Sequence, residues 1–172
     1  MANYYVIRVC YDEKPKTLGG KSPFQDIRDE LLAGRLRQGW SPDGATIKNG
    51  KYSYYQALKN NGWNAYDYNK ASERYDILEP MLSIRENDII AVPKVSLDVD
   101  RVGRYFTLFK ATGMYYLGNP LGNYNDFSHI IPVQPIKTIS YDTELGNLIK
   151  KYQPAVSRIQ KRETQIRIDN SI

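Results

Sequence analysis

This 172-residue chain carries a single cysteine, Cys10, and a single histidine, His129. One cysteine excludes an internal disulfide framework and a cysteine zinc site. One histidine excludes nucleases and hydrolases built on two or more imidazoles, and its place before an apolar IIPV run suits a strand-end residue better than a catalyst. No G-x-x-x-x-G-K-[ST] or G-x-G-x-x-G phosphate loop is present, and no G-x-S-x-G nucleophile elbow. No apolar stretch approaches the roughly 20 residues that span a bilayer. The opening MANYYVIRV has neither the charged nor the apolar region of a signal peptide, so a cytoplasmic setting without membrane contact is expected. Asp12-Glu13-Lys14 has the short form of a metal-nuclease element, and Pro42-Asp43 resembles its leading half. Their order is reversed and both lie in turn-like sequence, where three-residue matches arise by chance. A binding protein without catalytic residues, metal or cofactor is therefore expected.

What the chain does hold is tyrosine and positive charge. There are 15 Tyr and 2 Trp, and the net charge is +5, which agrees with a polyanionic partner. Tyrosine fills β-sheet faces and also suits surfaces that must be apolar yet hydrogen-bond.

The pattern along the chain is mixed. Tyr4 to Val9 alternates as a first strand. Ser22 and Pro23 open a helix whose Phe24, Ile27 and Leu31 share a face, and Gly34 ends it. RLRQGW (Arg35 to Trp40) enters a second strand. Residues 41–70 form a tyrosine-rich insertion with one short helix near Ser53 to Asn60, and Ser72 caps a further helix through Tyr75, Leu78 and Leu82. Strands follow over Ile84 to Val95, Arg104 to Leu117 and His129 to Tyr141. Pro93 marks an edge or a strand end, and the two prolines of the last strand argue against a central position throughout. Asp142 to Tyr152 reads as a capped amphipathic helix, followed by a polar, basic tail with Arg158, Lys161, Arg162 and Arg167. This order predicts an α+β fold, a small curved β-barrel with helices at its rim.

Several features suit nucleic acid. Arg35 and Arg37 project from one strand face to contact phosphates, while Gln38 reaches a base edge and Trp40 stacks on an extruded base. The alternative is that Trp40 anchors the core and the arginines are solvated. Lys48, Lys51, Arg101, Arg104 and Lys110 are further candidate phosphate contacts or plain surface charges. Trp63, Tyr66 and Tyr68 form a second aromatic group, and Tyr105, Phe106, Tyr115 and Tyr116 a third. Alternation lets only one of Tyr105 and Phe106, and one of Tyr115 and Tyr116, face any pocket.

The order of YYVIRV, a helix, RLRQGW, a helix before IRENDIIAVPK, then YFTLFKATGMYYL and FSHIIPV resembles the PUA-like superfamily in its EVE-like and YTH-like branch. More narrowly, it is similar to the N-terminal specificity domains of modification-dependent restriction enzymes. The resemblance covers roughly residues 4–140, giving a domain over 1–142 and a C-terminal helix and tail over 143–172 that links to a nuclease or NTPase effector. It implies a curved barrel that flips a modified base of double-stranded DNA, a methylated or hydroxymethylated cytosine or a methyladenine, into an aromatic pocket. Trp40 and Ser41 would then form one wall, with Gln38 beside them and Trp63, Tyr105, Phe106 or Tyr115 completing the cage. An RNA-binding PUA-like domain and a small Mg²⁺-dependent nuclease are the alternatives.

Overall fold

The first strand sets the architecture, because it buries every one of its residues. In β1 (Tyr4–Ile7), Tyr5 and Ile7 enter one core and Tyr4 and Val6 another on the opposite face. A strand apolar on both faces needs cover on both. The computed structural model, which describes residues 2–9, 23–97 and 103–172, supplies it.

The chain continues through α1 (Pro23–Leu32), β2 (Arg35–Gln38), α2 (Gly50–Asn60), α3 (Tyr68–Leu78), a 3-10 turn (Glu79–Ser83) and β3 (Ile89–Pro93). Then come β4 (Tyr105–Ala111), β5 (Tyr116–Leu117), β6 (His129–Ser140), α4 (Glu144–Ile149), β7 (Val156–Arg158) and α5 (Arg162–Asp169). The result is a mixed α+β fold around a curled, open sheet in the order β2-β6-β4-β3-β1-β7, with β5 also on β6. Only β1 and β3 pair in parallel among the described ladders. Helices α1, α2 and α3 cover one face through Ile27, Leu31, Tyr54, Leu58, Ala71 and Leu78. Helices α4 and α5 cover the other through Leu145, Ile149 and Ile168, against Ile89, Phe106 and Leu108. Among the described residues no helix is long and apolar enough to cross a membrane.

Several boundaries differ from expectation for local reasons. Helix α3 starts at Tyr68, capped by Asp67, whose side chain accepts the Lys70 N–H at 2.8 Å, so Ser72 sits inside the helix. Ser22 and Cys10 lie outside the described residues. β6 is central in its first half, where Ile130 faces Arg37 on one side and Tyr116 on the other. Its Pro135 is accommodated at a break in register against β4, where Leu108 faces Lys137 and Phe109 faces Pro135. Pro93 is the last residue of β3, which lies between β1 and β4.

The C-terminal segment, expected as a polar tail, is packed onto the sheet. β7 pairs with β1, Tyr5 opposite Arg158, and Ile159 and Ile168 are almost fully buried. Ile168→Ala should therefore cost about 2–5 kcal/mol, as other buried aliphatic truncations do. Denaturant unfolding should show this as a lower midpoint of one cooperative transition; a change within error would mean that α5 contributes nothing to the core.

Candidate nucleic-acid interface

Where β1, β2 and β6 converge, their ends leave a cleft of about 190 Å³. Arg8 and Val9 line it from the end of β1, Arg37 to Trp40 from β2, Asp126 and Phe127 from the approach to β6, and Ala155 from before β7. Two of its aromatic residues hold backbone conformations that bulky side chains avoid. Trp40 has φ 61° and Phe127 has φ 62°, both in the left-handed region.

These two turns are pinned by a single carboxylate. Oδ1 of Asp126 accepts the N–H of Ser41 at 2.8 Å and that of Phe127 at 2.7 Å. Burial pushes the Asp126 carboxyl above its ordinary range, against the backbone N–H groups of Ser41, Phe127 and Trp40, which pull it down. Other partners complete the clamp. Arg37 Nη1 donates to the Phe127 carbonyl at 2.9 Å and to the Asn119 carbonyl at 2.9 Å. The Tyr54 hydroxyl donates to the Trp40 carbonyl at 2.6 Å. Arg74 of α3 places its guanidinium 4.6 Å from the Trp40 ring centroid. Gly39 keeps the cleft open, since a Cβ there would come within 3.2 Å of the Phe127 ring and 3.5 Å of Asp126 Oδ2.

Behind the cleft lies a buried polar layer. Ser41 is fully buried and its Oγ accepts the N–H groups of Ser128 at 2.6 Å and His129 at 3.0 Å. His129 Nδ1 pairs with the Tyr115 hydroxyl at 2.8 Å. Gln38 Oε1, Ser128 Oγ and His129 Nε2 are buried without a hydrogen-bond partner among the described residues. Burial depresses the His129 pKa from 6.5 to about 3, so the folded ring is neutral.

The structure brings Gln38, Trp40 and Ser41 together and disperses the other expected pocket residues. Phe106 lies on the opposite face of the sheet, fully buried with its ring 5.5 Å from Tyr141. Tyr105 begins β4 opposite Ser140, away from the cleft lining. Tyr115 is buried behind the cleft, on His129. Trp63 pairs with Tyr66 at 5.3 Å and packs against the first core from the α2–α3 connection. The expected phosphate contacts divide too. Arg35 and Arg37 do share a face, but both reach Glu30, at 2.7 and 2.6 Å. Hydrogen bonds from Arg35 and Arg37 hold the Glu30 carboxyl down at about 2. Lys51 pairs with Asp76 at 2.7 Å. Lys48 is exposed, 5.7 Å above the Tyr115 ring, and Arg104 is exposed at the start of β4. Arg101, Asp12, Glu13 and Lys14 lie outside the described residues.

Asp126, Phe127 and Arg8, which line the cleft, and Arg74, which lies over the Trp40 ring, were missed in the sequence. The available signal was an Asp-Phe pair closing an Asn- and Gly-rich loop directly before a strand.

No family model matches this chain, and no curated protein matches it. Among solved structures, protein Atu2648 from Agrobacterium tumefaciens aligns over 99% of this chain and 92% of its own, at 10% identity and a TM-score of 0.39.

Two measurements test the clamp. Asp126→Ala should cost about 2–4 kcal/mol, because two N–H donors lose a charged acceptor; an unchanged denaturation midpoint would remove Asp126 from this role. His129 has a lowered folded pKa, so the unfolded state binds the extra proton first and stability falls as pH drops from 6.5 towards about 3. His129→Asn should flatten the midpoint-versus-pH curve above about pH 5.5, a full unit over the ordinary Glu30 value, where the Glu30 contribution is still intact.

Proposed function

We propose that this chain is a reader of modified duplex DNA that receives a flipped base in the cleft between Trp40 and Phe127. The observation that carries this reading is the pair of left-handed aromatic residues bound to one carboxylate. Each such backbone costs on the order of 1–3 kcal/mol, and strain of this kind collects at ligand clamps. The volume of about 190 Å³ agrees with a single heterocycle. It exceeds the roughly 30 Å³ share of one water and falls below the about 300 Å³ at which drug-sized pockets begin.

The cleft chemistry favours bases with an exocyclic amine. Asp126 Oδ2 beside Gly39 and Gln38 Oε1, unpartnered among the described residues, are acceptors suited to the amino group of cytosine or adenine. Trp40 offers a stacking face that does not compete for that edge. Arg8 stands at the same cleft, and the exposed Lys48 and Arg104 are candidate phosphate contacts. On this reading the curled sheet is a PUA-like barrel that acts as the specificity domain of a restriction or defence protein. A separate nuclease or NTPase then supplies the chemistry.

The test is a binding screen of duplexes carrying methylated and hydroxymethylated cytosine or methyladenine, beside unmodified duplex and RNA of equal length. One modified duplex should bind best, and Trp40→Ala should weaken it by about 1–3 kcal/mol. Equal affinity of the variant for that duplex, or preference for RNA, would sink this reading. So would cleavage of plasmid by the purified chain with Mg²⁺.

A further inference from the structure

A second pocket, of about 270 Å³, lies between α4, β7 and the start of α5. Its lining includes Lys151, Tyr152, Arg158, Lys161 and Thr164, and no carboxylate. Lys151, Arg158 and Lys161 are all exposed, and Arg158 is steadied by donating to Asn3 Oδ1. Helix α5 begins here on Lys161, whose side chain makes no cap hydrogen bond. The first N–H groups of the helix, at Arg162, Glu163 and Thr164, have no intrahelical acceptor and carry the positive end of the helix dipole.

Beside the backbone of the helix end, two residues that line the pocket carry buried hydroxyls without a hydrogen-bond partner among the described residues. Thr164 is 1% exposed, and its Oγ1 has no hydrogen-bond partner among the described residues. The Tyr152 hydroxyl is buried and unpartnered in the same way. Buried polar atoms are almost always bonded, so two orphans in one basic pocket need an explanation. The charged groups offered are all cationic, two ammonium groups and a guanidinium, and the two hydroxyls, the Gln160 amide and the backbone N–H groups can each donate beside them. With three cations and no carboxylate in the lining, the occupant these groups suit is an anion rich in acceptors.

We infer that this pocket is a phosphate-binding site, distinct from the base cleft and independent of the base-reading function. The phosphate is either a phosphodiester of a nucleic acid backbone or a free phosphate or mononucleotide. The two pockets share a wall: Arg8 lines the cleft, and its Nε donates at 2.6 Å to the carbonyl of Tyr152.

The experiment titrates the full chain with inorganic phosphate at constant ionic strength, read by calorimetry and by the thermal midpoint. The wild type should bind saturably. Thr164→Val should weaken binding about tenfold, the loss of one hydrogen bond to a charged group, while the thermal midpoint without phosphate holds or rises because an orphan hydroxyl has gone. Lys151→Ala with Lys161→Ala, both surface changes, should abolish binding without unfolding the protein. Absence of saturable binding, or wild-type affinity in both variants, would overturn the proposal. A duplex arm then identifies the source. A fall of about 2 in the salt slope of the double-lysine variant assigns a phosphodiester. An unchanged slope with phosphate binding lost assigns a free phosphate or mononucleotide. The first arm contains no DNA, so its failure is separate from failure of base reading.

Discussion

The Asp126 carboxylate joins two chain segments 85 residues apart by accepting one N–H from Ser41 and one from Phe127. Both bonds fall on Oδ1, so the two strained turns are held at a common point. Trp40 and Phe127 could otherwise relax to ordinary backbone conformations, and the cleft between them would lose its shape. An anion bonded by backbone N–H groups makes short, directional contacts, which suits it to fixing geometry. The same carboxyl is disfavoured by burial, so its place depends on those donors remaining aligned.

Around this point the arginines of β2 act as struts. Arg37 bridges Glu30 on α1 to the carbonyls of Asn119 and Phe127, linking helix, strand and loop. Its neighbour Arg35 shares the same glutamate in a paired contact. Helices α2 and α3 have a matching role on the other side. Tyr54 and Arg74, from α2 and α3, hold the carbonyl and the ring of Trp40. The tyrosine-rich insertion thus gives Tyr54 and Leu58 to the first core, and through the Tyr54 hydroxyl it also backs Trp40.

Strand identity was legible in short runs of β-branched, aromatic or apolar residues bounded by turn signals. Tyr4 to Ile7 and Arg35 to Gln38 form strands as expected, and α1 ends before Gly34, which takes φ 86°. Alternation also said that only one of Tyr105 and Phe106 could face a pocket. It could not say which, because the phase of β4 is set by its pairing with β3 and β6. The left-handed Phe127 was hidden for a related reason. Asn tolerates that conformation and Phe does not, so local preference pointed away from the residue that contacts with Arg37 and Asp126 select. In the C-terminal segment, isolated isoleucines among charged residues read as a solvated tail. Ile159 and Ile168 nevertheless complete the second core.

The pairing of β1 has a kinetic consequence. Its partners are β3, with Tyr4 opposite Ile89, and β7, with Tyr5 opposite Arg158. Both contacts close very long loops, so the entropy of closure is met before the strand gains its ladder bonds. Until then Tyr4, Tyr5, Val6 and Ile7 are an apolar run without cover on either side. During synthesis on a ribosome this strand waits while about 150 further residues emerge before its last neighbour exists. Closure entropy therefore favours early formation of the contiguous β3-β4-β6 antiparallel ladder over the β1–β7 pairing, which spans the larger separation.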